Sequence, residues 1–180
     1  MPERFYFHHV VYEADGIPIG IGACWQKHSL LALSLSPDRE IAIEKCLKNQ
    51  PMDNFCFRPF PVELEQDLQR ALDGKKFDWR WQAKPLQGTD FQRRIWSCLQ
   101  ELSPGETISY RELATRVGSP GAARAAGTAC SRNPIPLRIP CHRVVSSDGS
   151  LGGFTGDLRL KAWLLTQESS AEFQPGSLPL

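Results

Sequence analysis

The 180-residue chain has no apolar run near the length that crosses a bilayer, which argues against a membrane protein. Its first residues, Met1-Pro2-Glu3-Arg4, do not open a signal peptide. Six cysteines are scattered through the chain with no C-x-x-C pair, which argues against a disulfide framework and a zinc knuckle. The C-x-x-C-H of haem attachment is missing as well. Cys24, His28 and one of His8 or His9 are the only set approaching zinc chemistry, and their spacing does not support a metal site. The expectation is a cytoplasmic protein, nuclear if its source has a nucleus, with free thiols, no metal and no cofactor.

What the chain does contain begins with alternation. Phe5 to Tyr12 and Ile17 to Trp25 flank Asp15-Gly16, a hairpin signal, and Leu31, Leu33 and Leu35 read as a third strand. Ser36-Pro37 is expected to open a helix to Leu47, with a loop from Asn49 to Pro61 and a second helix over Val62–Leu72 ended by Gly74. Phe77, Trp79 and Trp81 alternate as a late strand would, and Ala83 to Gly88 reads as a linker.

Beyond the linker the pattern turns helical. Thr89 and Gln92 make a capping box, ahead of an apolar stripe of Phe91, Ile95, Cys98, Leu99 and Leu102. Ser109 and Glu112 make a second box, opening a helix through Val117. Gly118 stops it, and Ser119-Pro120 starts another towards Arg132, so a helix-turn-helix is expected. Residues 121–129 of that last helix are nearly all small, with Arg124 the only long side chain. Such a face suits either tight helix packing or close approach to a narrow DNA groove. A Gly-rich loop, Ser147 to Asp157, precedes a final helix from Leu158 to Gln167.

Charge is also uneven. Residues 111–143 hold six arginines, no lysine and one acid, Glu112, which points to a phosphate-bearing partner. The run ends at Ile139-Pro140-Cys141-His142-Arg143-Val144. A thiol reacts as its thiolate, and a neighbouring base or cation favours that form. Cys141 alone among the six cysteines is followed by both an imidazole and a guanidinium. Four readings are weighed for the cysteine chemistry: a Cys–His nucleophile pair, a haem or metal ligand, for which the C-x-x-C-H is absent, a zinc site elsewhere built on Cys24, His28 and one of His8 or His9, whose spacing is weak, and Cys141 as a small buried hydrophobe.

From about Thr89 to Glu168 the chain resembles the O6-alkylguanine-DNA alkyltransferases, also called methylated-DNA–protein-cysteine methyltransferases. The residues that carry the likeness are Thr-Ile-Ser-Tyr at 107–110, Ala-Ala-Arg-Ala at 122–125, Asn-Pro-Ile-Pro at 133–136, Ile-Pro-Cys-His-Arg-Val at 139–144 and Lys161-Ala162-Trp163-Leu164-Leu165. The resemblance implies an α+β protein. A small N-terminal α/β domain over 1–84, an antiparallel sheet with helices and ribonuclease H-like, would precede a mostly helical domain with a winged helix-turn-helix over 85–170. Residues 171–180 would be a disordered tail. It implies irreversible transfer of an alkyl group from guanine O6, and from O4-alkylthymine, to Cys141 in one turnover. His142 would act as base through a water, Glu168 would orient it, and Tyr110 would give the leaving guanine its proton. Ala123, Arg124, Ala125, Gly127, Ser109 and Arg132 would meet DNA, with Arg124 replacing the flipped base. Asn133, Pro136, Val144, Thr155, Gly156 and Tyr110 would shape the pocket. The partner would be double-stranded DNA containing O6-alkylguanine, met by a monomer. The alternatives are a non-catalytic sensor of alkylated DNA, in which the cysteine is usually replaced, and a helix-turn-helix regulator. The loop run Phe154-Thr155-Gly156-Asp157 departs from the family's usual Gly-Gly, as Gln167-Glu168-Ser169 does from its His-Glu-Gly.

Overall fold

The computed structural model describes residues 4–48, 55–85, 87–154 and 156–169. The expected tail at 171–180 and Thr155 lie outside them. The described residues divide into two compact units, and neither is one continuous stretch of chain. The first draws on Met1–Gln69, Asp78–Gly88 and Pro134–Arg138, and the second on Arg70–Phe77, Thr89–Asn133 and Ile139–Leu180.

The first unit is built on a sheet. Strands β1 (Phe5–Ala14) and β2 (Ile17–Gln26) pair antiparallel around Asp15 and Gly16, whose φ of 51° and 72° make the left-handed turn the dipeptide favours. β3 (Ser29–Leu35) continues the meander. Helix α1 (Arg39–Leu47) starts later than Ser36-Pro37 signals, because the Asp38 carboxylate accepts from the Glu40 and Ile41 amides and caps it there. The stretch expected to be loop contains β4 (Phe55–Phe57), which joins β1 in parallel. Helix α2 spans Val62–Leu72. The expected strand over Phe77–Trp81 is not one; only β5 (Gln82–Ala83) pairs, parallel to β3. The sheet order is β4-β1-β2-β3-β5, so it is mixed rather than antiparallel.

Phe7, Cys24, Leu31, Ala32, Ala42, Cys46 and Leu47 form the core beneath α1. Burying each large apolar side chain contributes about 1.5–3 kcal/mol. Gly20 and Gly22 on β2 permit the approach: a Cβ on Gly20 would strike the Ser36 carbonyl, and one on Gly22 the Ala42 methyl. In the same unit Asp67, fully buried, takes a fork from Arg80 (Nε to Oδ1 2.9 Å, Nη2 to Oδ1 2.7 Å) and the Arg80 amide at 2.9 Å.

The second unit is mostly helical. α3 (Asp90–Glu101) carries the full Thr89/Gln92 capping box. The two-residue strand β6 (Ile108–Ser109) runs into α4 (Tyr110–Arg116), capped by Ser109. The Glu112 carboxylate does not close the second box but pairs with Arg116 at 2.9 Å. Gly118, at φ 73°, ends the turn after α4. α5 begins at Ala123, not Ser119, and runs to Ser131 with no side-chain cap. Cys141–Arg143 form one 3-10 turn, followed by β7 (Val144–Val145) and α6 (Leu158–Glu168). β6 and β7 pair in parallel, Ile108 with Val144 and Ser109 with Val145.

Candidate active site

Within the second unit, Asn133 follows α5 and organises the path to the cysteine. Its amide donates to the Cys130 carbonyl at 3.1 Å, and its Nδ2 donates to the Ile139 carbonyl at 2.7 Å. The Cys141 amide donates to that same Ile139 carbonyl at 2.8 Å. One carbonyl thus fastens the helix end to the nucleophile's own backbone. Cys141 is only 6% exposed. It shares the lining of a cavity of 340 Å³ with Tyr110, Gly127, Cys130, Ser131, Gly153 and Phe154.

Burial pushes the Cys141 thiol up, so at rest it holds its proton. A hydrogen bond from Asn133 and the positive charge of Lys161 pull the other way. Neither Arg143 nor His142 is among the groups that favour the resting thiolate. The 3-10 turn sends both of them to Glu168 instead. The second cavity thiol, Cys130, is pushed up to about 12 by burial first and by Cys141 second.

His142 is 3% exposed, and its Nε2 lies 2.9 Å from Glu168 Oε1. Hydrogen bonds from His142 and Arg143 overcome the penalty of burial and hold the Glu168 carboxyl down at about 2. An ionised carboxylate only accepts, so Nε2 carries the proton and Nδ1 is left with the lone pair. Burial lowers the imidazole below its usual value, against the pull of Glu168 and with the help of Arg143 and Lys161. The ring is therefore a neutral base.

Lys161 is the residue the local sequence signal did not explain. It lies inside the quoted Lys-Ala-Trp-Leu-Leu run, yet nothing there says that it is fully buried with, among the described residues, no carboxylate on its ammonium. Nζ donates to the carbonyls of Val144 (2.6 Å), Leu151 and Gly153 (3.2 Å). It ties the Gly-rich loop to the strand after the cysteine. Burial lowers its pKa, and the neighbouring thiols Cys141 and Cys130 oppose that.

Tyr110 begins α4, and its hydroxyl donates to the Gly153 carbonyl at 3.1 Å. Gly127 and Gly152 seat its ring: a Cβ on Gly152 would come within 3.1 Å of it. Burial raises the phenol, which keeps its proton available at neutral pH.

The remaining expected residues separate. Gly127 lines the cavity rather than an outer face. Arg124, Ala125 and Arg132 are exposed on or just after α5, Ala123 is half-buried, and Ser109 caps α4. The inward face of α5, Ala126 and Ala129, is fully buried, and Trp96 Nε1 donates to the Ala129 carbonyl at 2.9 Å. The small residues therefore serve close helix packing on one side and leave a low, basic surface on the other. Pro136 groups with the first unit, and Gly156 and Val144 are not among the cavity-lining residues, although the Val144 carbonyl holds Lys161. Of the suggested zinc set, Cys24 lies in the sheet core, His8 packs on Phe60, His9 meets the Ser36 carbonyl and His28 packs on Trp81. No three metal-ligating side chains converge among the described residues.

Residues 90–170 match the family model described as 6-O-methylguanine DNA methyltransferase, DNA binding domain. The structure resembles that of Mycobacterium tuberculosis OGT in complex with DNA, with a TM-score of 0.67, 28% identity and 92% of each chain covered. The methylated-DNA–protein-cysteine methyltransferase of Mycobacterium leprae is 53% identical over 83 residues, which are 46% of this chain and half of that one. The protein of that name from Methanosarcina barkeri is 41% identical over 120 residues, 67% of this chain and 75% of its own length. A likeness this close over so much of a relative places the chain in the family of methylated-DNA–protein-cysteine methyltransferases.

Proposed function

We propose that this chain repairs alkylated DNA by moving the alkyl group of O6-alkylguanine onto Cys141, once per molecule. The observation that carries the reading is a thiol at the wall of a 340 Å³ cavity, in the same 3-10 turn as an imidazole whose far nitrogen is fixed on a buried carboxylate.

His142, through a bridging water, takes the thiol proton. The Cys141 sulfur attacks the alkyl carbon, the S–C bond forms, and the bond from carbon to guanine O6 breaks. The leaving guanine takes up one proton from the Tyr110 hydroxyl, and solvent returns it to the phenol. The product is a thioether, which water does not hydrolyse at neutral pH, so the site is used once. O4-alkylthymine offers the same exocyclic ether and is a second substrate in this reading.

The target oxygen lies in the base stack, so the nucleotide has to leave the duplex. In this reading α4 and α5 act as a winged helix-turn-helix, with the exposed small and basic face of α5 towards the minor groove. Arg124 fills the gap in the stack. Phosphate contacts from Arg132 and its neighbours make affinity salt-dependent and largely independent of sequence. The presence of Cys141 speaks against the damage-sensor alternative.

Incubating the protein with a duplex carrying one O6-methylguanine and weighing it intact tests the proposal. The expected result is the gain of one methylene per protein, mapped to Cys141, with none in Cys141→Ala. Tight binding without any mass gain would replace repair with sensing.

A further inference from the structure

Glu168 faces more than His142. Arg143 Nε lies 3.1 Å from Glu168 Oε1 and 2.9 Å from Oε2, and its Nη2 lies 2.7 Å from Oε1. Its Nη1 donates to the Leu102 carbonyl at the end of α3, at 2.6 Å. The Gly105 amide reaches Glu168 Oε2 at 3.2 Å. The side chains of Arg143 and Glu168 are 11% and 3% exposed. A carboxylate in this setting has its lone pairs occupied and its charge matched by a guanidinium.

We propose that Arg143 is a positioning residue for alkyl transfer: it neutralises and anchors Glu168, so that the His142 ring is held in place as a neutral base. This rests on the reading of His142 given above. The charged groups acting on the ring are Glu168 and Lys161 from α6 and Arg143 from its own turn. The cavity thiols Cys141 and Cys130, both with raised pKa, are neutral, and the 102–105 turn gives Arg143 a carbonyl and Glu168 an amide. With Arg143 present, the carboxylate and guanidinium cancel. Without it, an unmatched buried anion lies 2.9 Å from the ring and draws a proton onto it. A ring already protonated cannot take the thiol proton. Arg143 therefore acts by keeping the base empty, and the adjacency of Cys141, His142 and Arg143 gains a reason: nucleophile, base and the charge that sets the base stand in one turn.

The test is the single-turnover rate of Cys141 methylation on the O6-methylguanine duplex, measured against pH for wild type, Arg143→Gln and Arg143→Lys. For R143Q the acid limb is expected to move up, leaving it about tenfold slower than wild type near pH 6.5 and within about threefold near pH 8.5, since one pKa unit is a factor of ten. R143K keeps the charge and restores the wild-type limb. An R143Q loss that is equal at every pH, or an R143K profile no better than R143Q, overturns the proposal. If R143Q does not fold, nitrogen NMR of His142 in the wild type decides. A neutral ring with its proton on Nε2 near pH 6.5 is expected, and an imidazolium there overturns the proposal. Failure of the wild type to methylate Cys141 at any pH would instead sink the repair reading.

Discussion

Asp67 and Glu168 are both buried carboxylates held by an arginine fork, one in each unit of the molecule. Asp67 receives Arg80, whose side chain is 39% exposed, and that arginine goes on to the Glu63 carbonyl at 2.7 Å. Nothing in that set is a nucleophile or a base. Glu168 receives Arg143 and then, on the same oxygen, the imidazole of His142. A buried forked carboxylate is thus a way of fixing backbone, and by itself says nothing about chemistry. The added imidazole, one residue from a cavity-lining thiol, is what separates a brace from a catalytic relay.

Substituting the two carboxylates gives the largest contrast. Glu168→Gln is expected to slow methylation of Cys141 at neutral pH by about 10²–10⁴, the usual worth of an oriented general base. Asp67→Asn should leave the rate per folded molecule unchanged. Single-turnover assays on both variants decide, and an equal loss in the two would erase the distinction.

Lys161 sharpens the contrast from the other side, as a buried charge that among the described residues meets carbonyls and no carboxylate. Lys161→Met removes the cation whose charge favours the Cys141 thiolate and strands three carbonyls. Methylation is expected to slow by about tenfold or more, with about 1–3 kcal/mol lost in urea denaturation. A wild-type rate in a folded variant would make Lys161 purely structural.

Stability shows the smaller effects. Asp67→Asn should cost about 1–3 kcal/mol, because the orphaned Arg80 guanidinium already reaches solvent while the packing of the site is untouched. Acid is expected to act on the second unit in two steps. The folded His142 ring binds its proton less readily than in the unfolded chain, where its value is near 6.5. The unfolded state therefore holds more protons, and stability declines as pH falls below that value. Glu168, held at about 2 in the fold against 4.5 for the free group, adds a second decline from about pH 5 downward. Denaturation midpoints across pH in wild type and His142→Asn measure the first step, which the substitution should flatten.

The local signals that were legible share one property: the partner lies a few residues away. Asp15-Gly16 closes its own hairpin, Thr89 and Gln92 cap each other, and Ser109 caps the helix it begins. The Cys141 segment stood out for a similar reason, three reactive side chains in a row. Illegible features needed a distant partner. Phe55–Phe57 is a strand only because β1 offers it an edge, and the alternation at Phe77–Trp81 finds no such edge. The cap of α1 is the polar residue just past the proline, Asp38, so the helix opens at Arg39. In the sequence Arg143 and His142 are neighbours of the thiol, whereas a single 3-10 turn gives both to a carboxylate 25 and 26 residues on. The burial of Lys161 came from the three carbonyls around it, which no periodicity encodes.

One feature of the chain path bears on how the molecule can be taken apart. Between Asn133 and Ile139 the chain leaves the second unit, and residues 134–138 belong to the first. There the Pro134 carbonyl accepts from the Leu33 amide at 2.7 Å, Arg138 Nε donates to the Trp81 carbonyl at 3.2 Å, and Ile135 and Leu137 are buried. A gene cut at residue 88 would keep every reacting group, yet the half-protein it encodes would lose the Leu33 amide and the Trp81 carbonyl that hold the two ends of that bend. The shortest piece that works is set by support for that bend, not by the chemistry beside it.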